Sequence, residues 1–186
     1  MAIAFTGHRP PRLGLGYARA DQLCLIEFCR LELNAYVDSV GAFICESTKL
    51  INEPTIIAGG AQGFDQAVMA AAAGFPMIAA IPFVGHESKW PADAQAYYRD
   101  LLAQCETVQY FGKAYSNKLF AVRDRWMVDN ADIVIALFDG VDNGGTALTV
   151  KYAISKEKPL INWWDKWVKY RDKNLEEFRA SYKNPT

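Results

Sequence analysis

Short unbroken apolar runs alternate along this chain with longer stretches in which apolar residues return every three or four positions. The first rhythm is that of strands buried on both faces, and the second that of helices with one apolar stripe. Ala2 to Phe5 predicts a strand that ends at Thr6-Gly7. The segment Arg9-Pro10-Pro11-Arg12-Leu13-Gly14 then breaks both rhythms, because two prolines and a glycine interrupt helix and strand alike. Asp21 to about Val40 has helical spacing, with Leu25, Phe28, Cys29, Leu31, Leu33, Tyr36 and Val37 on a wide apolar face. Thr55 to Ala58 is a second strand, and Phe64 to Ala73 an alanine-rich helix with Gly74 as its stop. Met77 to Ile81 is a third strand, ending at Pro82. Asp93 to Gln104 reads as helix with Pro91 near its start, and Thr107 to Phe111 as strand. Asn117 to Asn130 is a helix and Asp132 to Phe138 a strong strand. Ala147 to Lys156 is a helix, Pro159 to Asn162 a short strand, and Asp165 to about Tyr182 a charged amphipathic helix.

Strands separated by helices require crossover connections, so the pattern predicts an α/β fold with a mostly parallel sheet and helices on both faces. No repeat, low-complexity tract or linker divides the chain, and residues 1–186 are expected to form one domain. In such a sheet ligands sit beyond the carboxyl ends of the strands, where the strand order reverses. Four segments follow strands and would share that rim. They are Thr6-Gly7-His8-Arg9, the turn from Gly59 to Asp65, the loop from Pro82 to Trp90, and the turn Asp142-Asn143-Gly144-Gly145-Thr146.

Composition narrows the partners. The 186 residues carry a formal net charge of -1, which argues against a broad electrostatic grip on a nucleic-acid backbone. Cys24, Cys29, Cys45 and Cys105 have no CxxC spacing and no histidine pattern beside them, so free thiols in a reducing compartment are expected and neither a metal nor another cofactor is implied. Met1 leads straight into an apolar strand with no signal-like segment, and no apolar stretch is long enough to span a bilayer. A cytoplasmic protein without membrane contact is the resulting expectation.

The chemistry concentrates on the rim. Gly59, Gly60 and Gly63 would let backbone approach a ligand, with Gln62 between them and Asp65 in the first helical turn. Asp65 would either meet a ribose hydroxyl or cap its helix. Gly144, Gly145 and Thr146 open a second helix, whose unpaired N–H groups suit a phosphate. Neither turn is GxGxxG, so the dinucleotide fingerprint is absent. Asp139 and Asp142 would repel phosphate unless they face a sugar, a base, a metal or solvent; solvated loop residues are the simpler expectation. Arg9 offers a bidentate fork and His8 a proton shuttle, beside Thr6 and Gly7. Arg123 and Arg125 are two apart and cannot share a helix face, and Arg123 is favoured for the site. Glu87, next to His86, is the candidate carboxylate for acid–base or nucleophilic work. Trp90 either stacks on a base or anchors its loop. Trp126, Trp163, Trp164 and Trp167 read as core or subunit-interface residues.

These segments resemble the SLOG superfamily, and within it the YpsA-like group, with the DprA and LOG phosphoribohydrolase proteins as related groups. The resemblance rests on Thr6-Gly7-His8-Arg9-Pro10, on Gly59 to Asp65, on Pro82-Phe83 followed by Glu87 and Trp90, and on Asp129 and Asp132 before the last major strand. It covers roughly residues 1 to 162 and leaves the tail unmatched. It implies a Rossmann-like three-layer fold, a nucleotide or nucleotide-derived ligand at the rim, and a homodimer or higher homo-oligomer. The LOG signature places an arginine four residues before a methionine, as Arg123 and Met127 stand here, and Gly145-Thr146 fit its glycine turn. Its glutamate position falls on Thr149. The sequence therefore favours nucleotide binding. The alternatives are an N-glycosidase acting on nucleoside 5'-monophosphates, with Glu87 or Asp65 as the carboxylate, and a DprA-like module for single-stranded nucleic acid.

Overall fold

A computed structural model describes residues 1–40 and 53–183; Cys45 lies outside them. Six strands form one sheet: β1 (Ala2–Gly7), β2 (Thr55–Ala58), β3 (Met77–Ile81), β4 (Thr107–Tyr110), β5 (Ile133–Leu137) and β6 (Leu160–Asn162). Their spatial order is β4-β3-β2-β1-β5-β6, and every pair is parallel. Five helices cross between them, α1 (Arg19–Ser39), α2 (Phe64–Ala71), α3 (Ala92–Ala103), α4 (Asn117–Asp129) and α5 (Gly145–Ser155), and α6 (Trp164–Lys183) follows the last strand. This is the α/β, Rossmann-like, three-layer arrangement, with the sheet wholly rather than mostly parallel.

Strand alternation sorts the core into two halves. Ile3, Phe5, Ile56, Ala58, Ile133 and Ile135 face the side covered by α1, α2, α3 and α6. Ala4, Ile57, Ala80 and Val134 face α4 and α5, which close that side with Met127, Val128 and Ala153. The large side chains collect on the first face, where α6 packs against α1. Trp163 and Trp167 are buried there, around Phe5, Phe28 and Phe64. Trp167 also donates its indole N–H to the Leu13 carbonyl at 3.1 Å. These two tryptophans are core residues and are not available as a subunit contact.

The differences from the expected elements have local causes. Pro10–Leu13 forms a single 3-10 turn closed by Gly14 in the left-handed region, φ 73°. Strand β1 continues through Gly7 because Thr6 and Gly7 still pair with Ala136 and Leu137 of β5. Helix α5 begins at Gly145, before Ala147, since Gly144 at φ 88° turns the chain straight into it. Leu31, placed on the apolar face of α1 from its spacing, is 44% exposed; Leu33 and Phe28 take the buried stripe.

The order of the strands decides where the rim opens. From β1 the chain steps outward through β2, β3 and β4, then returns to the other side of β1 as β5. The switch point therefore lies between the carboxyl ends of β1 and β5, and connections diverging there leave a crevice.

Candidate functional site

A cavity of roughly 580 Å³ occupies that switch point. Its floor is Thr6 and Gly7 at the end of β1. The start of α5 (Gly144, Gly145, Thr146) forms one wall, and α4, through Phe120, Arg123 and Asp124, forms another. Ala61 and Asp65 close it from the side of β2, with His8, Arg9 and Arg12 along the rim.

The first glycine turn and the second play different parts. A Cβ on Gly59 would stand 1.4 Å from Nη1 of Arg123, and one on Gly60 2.8 Å from Ile81. One on Gly63 would meet the His8 carbonyl oxygen at 2.7 Å. These glycines make room for the protein's own atoms, above all for the Arg123 guanidinium. Gln62 and Gly63 point away from the switch point into a separate groove with Gln66 and Tyr97. At the second turn a Cβ on Gly145 would find nothing nearer than Asp124 Oδ2 at 3.8 Å, and one on Gly144 nothing nearer than Arg12 Nη1 at 3.7 Å. That turn is open to the cavity, and the first N–H groups of α5 have no partner within their helix.

Arg123 is the centre of the site's electrostatics. Its side chain is only 8% exposed, with Nη1 3.5 Å from Asp65 Oδ2 and Nε 2.8 Å from Asp124 Oδ1. The Nε contact lies within ion-pair range but lacks hydrogen-bond geometry, which leaves that buried N–H without an acceptor. Arg125 points off the other side of α4, over the Tyr152 ring. Burial pushes the Asp65 carboxyl up to about 6 against the pull of Arg123, and the neighbouring Asp124 adds to the rise. Asp124 is raised in the same way by burial. Asp124 is a site residue with no sequence signal of its own. It is one of many acidic residues on helices, and only the packing of α4 on α5 brings it beside Gly145.

Asp139 is not a solvated loop residue. It accepts from Nε and Nη2 of Arg12, at 3.1 and 2.7 Å, and lies 3.0 Å from Nε2 of His8. Burial alone would raise its carboxyl, but Arg12, the Val141 N–H and His8 hold it below the ordinary value. Arg12 also donates to the Asn143 carbonyl at 2.8 Å. Arg12 and His8 thus tie the loop after β1 to the loop after β5 across the switch point. Burial lowers His8 despite Asp139, so His8 serves as a neutral strut. Asp142 pairs with Lys151 at the surface. Arg9 is exposed at the cavity rim and has no ion-pair partner among the described residues.

The loop after β3 stays behind the cavity wall. His86 is buried, and its ring packs edge-on with Phe83, Trp90, Tyr98 and Phe120. Burial and the nearby Arg123 lower its pKa to about 4. Trp90 anchors this loop on His86 and Tyr98, at 5.1 Å from each, and does not reach the cavity. Pro82, Phe83 and Glu87 are likewise absent from the lining. The aromatic side chains that do face it are Tyr115 and Phe120.

Cys24 and Cys105 are free thiols pushed up to about 11 by burial, and Cys29 is free and raised well above its ordinary value, also by burial. Among the described residues no helix is long and apolar enough to cross a membrane.

Comparison with known proteins agrees with this fold. A family model described as the YspA SLOG family matches residues 3–162. No curated protein matches the chain significantly. Among solved structures, DNA processing protein A (DprA) from Helicobacter pylori, described for its single-stranded DNA binding mode, is similar at 15% identity and a TM-score of 0.55. The match covers 98% of this chain and 80% of that one. DprA from Streptococcus pneumoniae is similar at 18% identity and a TM-score of 0.54. There 86% of this chain aligns with 48% of the other, so the chain spans about half of that protein's length. The structure of TM1055 is similar at 16% identity and a TM-score of 0.49, over 89% of this chain and 78% of that one.

Proposed function

The chain belongs to the YspA SLOG family, and on that premise we propose that the switch-point cavity binds a phosphate-bearing nucleotide or nucleotide-derived ligand. The observation that carries the reading is the buried Arg123 guanidinium, which lines the same cavity as the open start of α5. The α5 N-terminus adds N–H donors and the positive end of a dipole, and Arg9 adds a free cation. Asp65 and Asp124 oppose a polyanion deeper in the cavity but suit sugar hydroxyls, which can donate to them.

Calorimetric titration with mono-, di- and cyclic nucleotides and ADP-ribose tests this. At least one is expected to bind saturably, and Arg9→Ala, at an exposed position on the rim, is expected to weaken it about 5- to 10-fold. Failure of every ligand to bind would end the proposal. The single-stranded DNA binding described for the H. pylori protein raises a nucleic-acid alternative. Here the net charge of -1 weighs against it.

A second reading, N-glycoside hydrolysis, is favoured by one arrangement: the Asp65 and Asp124 carboxyls flank Arg123 inside the cavity, whereas Glu87 does not line it. Asp65 would hand its proton to the departing base nitrogen as the C1'–N bond breaks. Asp124 would take a proton from the water that attacks C1', giving free base and the sugar phosphate. If base is released from nucleoside monophosphates, Asp124→Asn should abolish release and Glu87→Gln should leave it intact. The reverse pattern would remove Asp124 from the role.

A further inference from the structure

We propose that Tyr115 and Phe120 form a stacking wall for a planar heteroaromatic base, so that the ligand is a nucleoside phosphate rather than a bare sugar phosphate. The inference rests on the phosphate-site reading above and extends it to the aromatic residues of the same cavity. Tyr115 is 66% exposed, a large ring offered to solvent at the mouth of the cavity. It is nevertheless held in place. Its ring meets Phe83 edge-on at 5.4 Å and Phe120 at 6.4 Å, and its hydroxyl is hydrogen-bonded to Oδ1 of Asn117.

The support behind the wall is buried. Phe83 is 7% exposed and packs on His86 and Phe120, at 5.6 and 5.9 Å. The loop carrying Tyr115 is pinned to the end of β3 through the Phe111 N–H to the Ile81 carbonyl, 3.1 Å, and to the loop after β3 through the Val84 N–H to the Gly112 carbonyl, 3.1 Å. An aromatic surface that is rigid before a ligand arrives loses little freedom on stacking. Asn117 supplies edge recognition, since its amide lines the cavity and Nδ2 remains a donor while Oδ1 is engaged by Tyr115. The open turn at Gly144 and Gly145 lines the same cavity as Tyr115 and Phe120, so one ligand could place a phosphate on the turn and a base on Tyr115.

The test compares a nucleoside monophosphate, ribose 5-phosphate and inorganic phosphate on wild type, Tyr115→Ala and Tyr115→Phe. The nucleotide is expected to bind wild type about 5- to 100-fold more tightly than ribose 5-phosphate, the range of one stacked base. Tyr115→Ala should erase that margin and leave ribose 5-phosphate unchanged, and Tyr115→Phe should keep it. Equal affinity for nucleotide and ribose 5-phosphate on wild type would overturn the stacking wall while leaving the phosphate site standing. Equal weakening of both ligands by Tyr115→Ala would also overturn it. Absence of binding by all three ligands would overturn both.

Discussion

Asp65 and His86 show how single residues in this cavity depend on their surroundings. Both are buried beside Arg123, and burial pushes each toward its neutral form: Asp65 up to about 6, His86 down to about 4. The consequences for stability have opposite signs. Asp65 keeps a proton in the folded state that the unfolded chain releases near 3.8, so its contribution is full below that value and fades as pH rises through 6. His86 resists a proton that the unfolded chain accepts near 6.5, so its contribution is full above that value and fades as pH falls toward 4. In wild type the two slopes partly cancel between pH 4 and 6.5. Asp65→Asn removes one of them. Urea denaturation of this variant should show stability rising with pH across that window, diverging from wild type by up to about 3 kcal/mol. Parallel profiles for the two proteins would contradict the assignment. The raised carboxyl of Asp65 was not visible in the sequence, because it depends on burial in the folded protein and on the nearness of Asp124, against the opposing pull of Arg123, 58 positions away.

At the scale of elements, the start of α5 is the part of the site with room to spare. Gly145 has no clash awaiting a Cβ, whereas Gly59 is filled by Arg123. Gly145→Ala should therefore fold normally and match or slightly exceed wild-type stability, by no more than about 1 kcal/mol. If a phosphate rests on this turn, the added methyl should still lower ligand affinity, and paired thermal-melt and calorimetric measurements would separate the two effects. Unchanged affinity would move the phosphate elsewhere in the cavity. The two turns look alike in sequence, each a glycine pair between a strand and a helix. They differ because α4 delivers Arg123 into one and leaves the other facing Asp124 across open space. Trp90 makes the same point. Its spacing placed it on the rim, but His86 and Tyr98 draw it into the wall, and the exposed ring at the cavity is Tyr115.

For the molecule as a whole, one sheet with its order reversed at β1 explains both the fold and the position of the site. The residues that meet there come from the ends of β1 and β5, from the start of α2, from α4 and from the start of α5. Arg12, His8 and Asp139 tie two of these segments across the crevice, so the rim is held by side chains as well as by the sheet. The sequence by itself determined the alternation of strands and helices, because apolar periodicity is a local property that each segment carries alone. It also determined that glycine turns, Arg9 and Arg123 follow or precede strands. What only the tertiary structure decided was which of these groups converge. Distance in space between Arg123, Asp65, Asp124 and Tyr115 depends on the order of strands and the packing of α4 on α5, and no local pattern encodes either. The charge states follow the same rule, since desolvation belongs to the folded surroundings of a carboxyl or an imidazole and not to its neighbours in sequence.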